Sequence, residues 1–67
     1  MARIIINVRE TRDNTGRKAV GVDAGYTVDS FDDIRVQNCC NDLYNIIADG
    51  FESGFKGGVV KMKGRIN

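Results

Sequence analysis

The chain has 67 residues, a formal net charge of +1, no histidine and two cysteines. That length holds a single domain spanning residues 1–67, and so short a chain buries only about 60% of its unfolded surface. The balanced charge excludes wholesale attraction to nucleic acid, so any electrostatic function depends on how the charges are distributed.

The chain opens Met1-Ala2-Arg3-Ile4-Ile5-Ile6-Asn7. Its apolar run is too short for a signal peptide, and no segment approaches the ~18 apolar residues of a membrane span. From Ala2 to Glu10, Ile4, Ile6 and Val8 alternate with Arg3, Ile5, Asn7 and Arg9, the period of a half-buried strand. Thr11 to Gly16 is dense in turn formers and predicts a hairpin loop. Arg17 to Gly25 alternates again, with Val20, Val22 and Ala24 on one face and Arg17, Ala19, Gly21 and Asp23 on the other.

The period changes between Asp29 and Ser53. At about 100° per residue, Val36, Cys39, Cys40, Leu43, Ile46, Ile47, Gly50 and Phe51 fall within an arc of about 140°, the stripe of an amphipathic helix. Asp29 or Ser30 can cap its free amides, Ser30 and Asp33 match a loose capping box, and Asp32 and Asp33 lie where the helix dipole favours negative charge. Gly50 and Gly54 mark its end, and Gly57-Gly58 breaks the chain. From Val59 to Asn67, Val60, Met62, Gly64 and Ile66 alternate with Val59, Lys61, Lys63 and Arg65, a strand with a basic outer face.

The order is ββαβ. One helix packed on one face of a three-stranded mixed sheet satisfies every apolar stripe and defines an α+β fold. A right-handed crossover through the helix sets the third strand parallel to the second. The hydrophobic Ile4-Ile5-Ile6 run predicts that the first strand is central, giving the sheet order 2-1-3.

Catalytic chemistry finds little support. Without histidine the commonest general base is missing, and with it any Ser-His-Asp or Cys-His arrangement. Cys39 and Cys40 sit mid-helix in the apolar stripe, where free cysteine acts as a small hydrophobe. Being adjacent, they cannot clip distant segments together, and two cysteines without histidine cannot complete an ordinary structural zinc site. Unpaired thiols indicate a reducing, cytoplasmic compartment. With no internal staple, oligomerisation is the available reinforcement. The glycines from Gly50 to Gly58 lack the Gly-Lys-Ser/Thr of a phosphate loop and follow a helix instead of preceding one. Asp29, Asp32 and Asp33 lack the spacing of an EF-hand. The chain is expected to be no enzyme and to carry no cofactor or metal.

Two surfaces stand out. Arg3, Arg9, Arg17, Lys61, Lys63 and Arg65 should share the outer face of the sheet, with Asp23 the one acid among them. Such a face can follow a phosphate backbone or an acidic protein, although it carries no aromatic for base stacking. Lys and Arg on strands also discourage edge aggregation. On the helix, Gln37, Asn38, Asn41 and Asn45 should lie opposite the apolar stripe, beside Ile34 and Ala48. Asparagine is a poor helix former, so this amide-rich row is a candidate partner surface. Asp29, Asp32, Asp33, Asp42, Asp49 and Glu52 lie on the helix side, which polarises the domain. Phe51 falls in the stripe, Tyr44 at its margin and Phe31 off it. Phe31, Tyr26 and Val28 either cover one end of the core or form an exposed apolar spot.

In outline, the hairpin ARIIINVRETRDNTGRKAVGVDAG, one helix, then the basic strand GGVVKMKGRIN resembles small accessory proteins of bacteriophages, including anti-CRISPR and other defence-inhibiting proteins. The resemblance covers the whole chain and rests on size and element order, without a diagnostic motif. It implies stoichiometric inhibition by binding to a complex in the bacterial cytoplasm. The +1 charge departs from acidic DNA mimics. The leading expectation is therefore a non-catalytic protein-binding module. The alternatives are a nucleic-acid-binding module using the basic sheet face, and a homo-oligomer, such as a homodimer, joined through the strand edge at Val59 to Ile66.

Overall fold

A computed structural model describes residues 1–67. Strands β1 (Arg3–Arg12) and β2 (Lys18–Thr27) form an antiparallel hairpin, helix α1 (Ile34–Gly54) follows, and β3 (Val59–Arg65) completes the sheet. The element order and the α+β class are those the sequence predicts. No helix is long and apolar enough to cross a membrane.

The hairpin loop is a tight turn with a stated cause. Gly16 N donates to Asp13 O at 3.0 Å, and Asp13 N donates to Arg17 O at 2.9 Å. Gly16 carries φ +81°, the left-handed conformation that a turn followed by a bulge requires. The Asp13 carboxylate accepts from Thr15 N, Thr15 Oγ1 and Arg17 N.

The strand order is β1-β2-β3, so the central strand is β2 and the expected order 2-1-3 is corrected. β3 does run parallel to β2. The reason lies in side-chain size. Gly21, Val22, Asp23, Ala24 and Gly25 are all buried, and this small-residue run lets the helix and both neighbouring strands close over it. β1, the most hydrophobic strand, is left at an edge.

A second correction follows from a bulge. Met62 is level with Ala24, but Gly64 is level with Gly25, so one extra residue enters β3. Gly64 accommodates it at φ +66°. Beyond it the alternation flips. Arg65 comes level with Tyr26, which faces the helix, while Ile66 folds across the outer face at Gly25. The sequence pattern places these two side chains the other way round.

The helix begins at Ile34, later than Asp29 or Ser30 capping predicts. Asp33 is the N-cap, accepting from Arg35 N at 2.8 Å. Asp29 instead organises the preceding turn: its carboxylate accepts from Phe31 N, and its carbonyl from Asp32 N. The helix runs through Gly50 and ends at Gly54, with Phe51 meeting Phe55 edge to face at 5.1 Å.

Only part of the predicted stripe is buried. The buried helix residues are Cys40 and Tyr44, with Ile47, Ala48 and Phe51 half-buried. On a helical wheel the buried face is turned about 70° from the centre of the apolar stripe. Tyr44 explains the rotation. Its hydroxyl donates to Ala24 O at 3.3 Å and accepts from Gly64 N at 2.9 Å. Its ring lies 4.8 Å from that of Tyr26. Tyr26 and Val28 thus join the core, whereas Phe31 is 96% exposed.

Two glycines separate space from conformation. A Cβ on Gly50 meets nothing within 4 Å, so Gly50→Ala should stabilise the helix by about 1 kcal/mol. A Cβ on Gly58 would stand 2.5 Å from the Val20 carbonyl oxygen, so Gly58→Ala should cost about 1–3 kcal/mol by forcing the backbones apart. Urea unfolding of both variants checks the opposite signs.

Candidate functional site

The outer face of the sheet is less basic than its sequence suggests. Arg3, Arg9, Lys61 and Lys63 lie at outward positions on β1 and β3. Arg17 sits in the hairpin loop, outside β2, and Arg65 has turned to the helix side. At the centre stands Asp23, only 2% exposed. It accepts from Asn7 Nδ2 at 3.0 Å, from Arg9 in a short ion pair, and lies 3.7 Å from Lys63 Nζ. The Asn7 hydrogen bond, with those cations, holds the Asp23 carboxyl below its ordinary value despite burial. Two of the four outward cations are therefore engaged with this acid.

The amide row is also displaced. The helix rotation brings it to a flank beside the sheet, away from the back of the helix. Gln37, Asn38 and Asn41 line a polar hollow with Tyr26, Val28 and Arg65. Asn41 accepts from the Tyr26 hydroxyl at 3.1 Å, and Gln37 donates to Asp32 O at 3.0 Å. Those two amides serve the fold. Asn38, Asn45 and Ile34 stay exposed.

The surface that sequence reasoning missed lies on the opposite flank. Rotation carries Val36, Cys39, Leu43 and Ile46 off the sheet and toward β1. Leu43 is 49% and Ile46 67% exposed. The pairing of Val8 with Val22 and of Ile6 with Ala24 puts Ile6 and Val8 on the helix-facing side of β1, yet Val8 is 68% exposed. Where the N-terminal end of β1 meets the helix flank lies an open groove of about 570 Å³, lined by Ala2, Ile4, Val36, Cys39, Cys40 and Leu43 with Arg3, Asp33 and Arg35 at its polar margin; Ile6, Val8 and Ile46 lie outside it. Cys39, predicted to be core, is exposed in this groove. Cys40 is buried, its Sγ 3.7 Å from Arg3 O. The only sequence signal for the groove was a stripe wider than one small sheet can cover.

The groove offers mainly apolar contact, with charged residues at its margin. No three His, Cys, Asp or Glu side chains converge on a common point.

Four carboxyls titrate below their ordinary value of 3.8: Asp13, held by Thr15 and Arg17; Asp23, by Asn7; Asp29, by Phe31 N; and Asp33, by Arg35. A lowered folded value gives stability that is full above the unfolded value and is lost as pH falls below it. Urea midpoints should therefore fall from about pH 5 to about pH 3, and Asp23→Asn should flatten that slope.

Compared with family models, curated proteins and solved structures, the chain matches none.

Proposed function

We propose that this chain is a non-catalytic protein-binding module whose docking surface is the apolar groove between β1 and the exposed flank of α1. One observation carries the reading. The apolar stripe of the helix is turned off its own sheet, leaving Val36 and Leu43 exposed along a groove whose other wall is Ala2 and Ile4, with Ile6 and Val8 exposed further along the same face of β1. An exposed apolar groove lined from two elements is the kind of surface that marks a protein interface. The free edge of β1 adds unpaired backbone donors and acceptors alongside. The basic sheet face and the amide row become secondary, because the fold itself uses Arg9, Lys63, Gln37 and Asn41.

Stoichiometric docking of this kind is also what the resemblance to phage accessory proteins implies, so bacterial lysate is the place to test it. Wild-type protein and the Leu43→Lys variant, altered in the groove wall, are used as baits in nuclease-treated lysate. A discrete protein retained by the wild type and lost from the variant is the expected outcome. Equal retention by both baits, or substrate turnover by the purified protein, would count against the reading.

A further inference from the structure

The molecule exposes more surface than a folded chain of its mass should. Its accessible area is 4990 Å². A compact monomer of 7.4 kDa is expected to expose about 4,200 Å². The excess, roughly 800 Å², is close to what one partner buries in a standard protein interface. The Cα radius of gyration agrees: it is 13.8 Å, against about 11 Å for a compact chain of this length.

That excess goes with an unpaired strand edge of defined phase. The Asp13 N to Arg17 O hydrogen bond sets the hairpin ladder, so odd-numbered residues of β1 exchange backbone bonds with β2. The amides and carbonyls of Ile4, Ile6, Val8 and Glu10 therefore point to the free edge. The side chains of Ile4, Ile6 and Val8 meanwhile stand on the groove side.

We infer that the occupant of this surface is a second copy of the chain, paired antiparallel through β1 about a two-fold axis at Asn7. This rests on the docking-surface reading above and names its partner. The axis sets Ile6 against Val8 of the partner in both directions, and Arg3 against Thr11. No like charges meet across the seam. Centring on Ile6 instead would set Arg3 against Arg9, and centring on Val8 would set both Ile6 against Glu10 and Ile4 against Arg12, whereas the Asn7 axis leaves a single isoleucine–charge pair on that face, Ile4 against Glu10. The symmetric pairing makes one six-stranded sheet with both helices on the same face. The exposed flanks at Val36 and Leu43 then border one shared apolar trough over the seam. The homo-oligomer alternative read from the sequence joins copies through the edge at Val59 to Ile66; the bulge at Gly64 and the cations Lys61 and Lys63 disfavour that edge.

The test is sedimentation equilibrium of the full chain, with far-UV circular dichroism as a fold control. Wild-type protein should sediment at twice 7.4 kDa in the micromolar range. Val8→Lys sets a charge in the seam and should weaken the dimer by roughly a hundredfold with the monomer fold intact. Leu43→Lys, on the helix flank, gives a second, strand-independent disruption. Asn7→Cys in a Cys39→Ser background should form an intermolecular disulfide on mild oxidation, since facing residues across that axis have the required Cα separation of about 4.5 Å. A wild-type monomer at every concentration overturns the inference. So does a dimer indifferent to Val8→Lys, or a dimer whose Asn7→Cys variant does not cross-link. A monomer whose bait still loses a protein on Leu43→Lys overturns the dimer alone and keeps the docking surface. A monomer that captures nothing sinks both.

Discussion

Tyr44 is the residue on which the tertiary structure turns. Its ring is the largest side chain that the helix buries, and its hydroxyl joins two strands: it donates to the central β2 and accepts from the bulged glycine of β3. That glycine amide lies where the extra residue enters β3, and a buried amide without an acceptor costs free energy comparable to a lost hydrogen bond. The bulge and the tyrosine therefore depend on each other. The tilted contact of the Tyr44 ring with that of Tyr26, 4.8 Å between centroids, ties the same point to the end of β2. The helix has little freedom to roll once these contacts form.

From that constraint the two flanks of the helix follow. Seating Tyr44 brings Asn41 to the Tyr26 hydroxyl and Gln37 and Asn38 toward Arg65. It also carries Val36, Leu43 and Ile46 away from the sheet. The sheet is too narrow to follow them, because β1 ends it on that side. The result is a molecule 44 × 21 × 13 Å in extent, one helix thick on one sheet, with an apolar groove along one long edge. A fold of this thinness gains little from its own core, which is why the uncovered surface has energetic meaning: covering it adds the apolar burial that the monomer lacks.

The buried Asp23 plays the complementary part on the other face. Ile66 packs over Gly25 and Thr11 over Gly21 on either side of it, and Asn7, Arg9 and Lys63 close over it. A lone carboxylate at that depth would be costly, and its neighbours supply the charge and hydrogen bonds that hold it ionised. The cations that look like a ligand platform in sequence are in part its internal counter-ions. Arg3 and Lys61 are the outward cations with no such engagement.

Much of the fold was legible in sequence. Alternation found the three strands, the 3.6-residue period found the helix, and the turn formers from Thr11 to Gly16 found the hairpin loop, although Thr11 and Arg12 belong to β1, because each depends on neighbours a few residues away. The β3-parallel-to-β2 relation followed from chain connectivity. The strand order did not: apolar content favoured β1 as the central strand, whereas small residues made β2 the one that can be covered on both faces. Nor could alternation foresee the flip of Arg65 and Ile66, since one inserted residue at Gly64 reverses every side chain after it. The candidate site was hidden for the same reason. The stripe of Val36, Leu43 and Ile46 is plain in the sequence, but a periodicity says only that a face is apolar. Which part of that face meets the sheet, and which part is left open, was decided by where one tyrosine hydroxyl finds its partners.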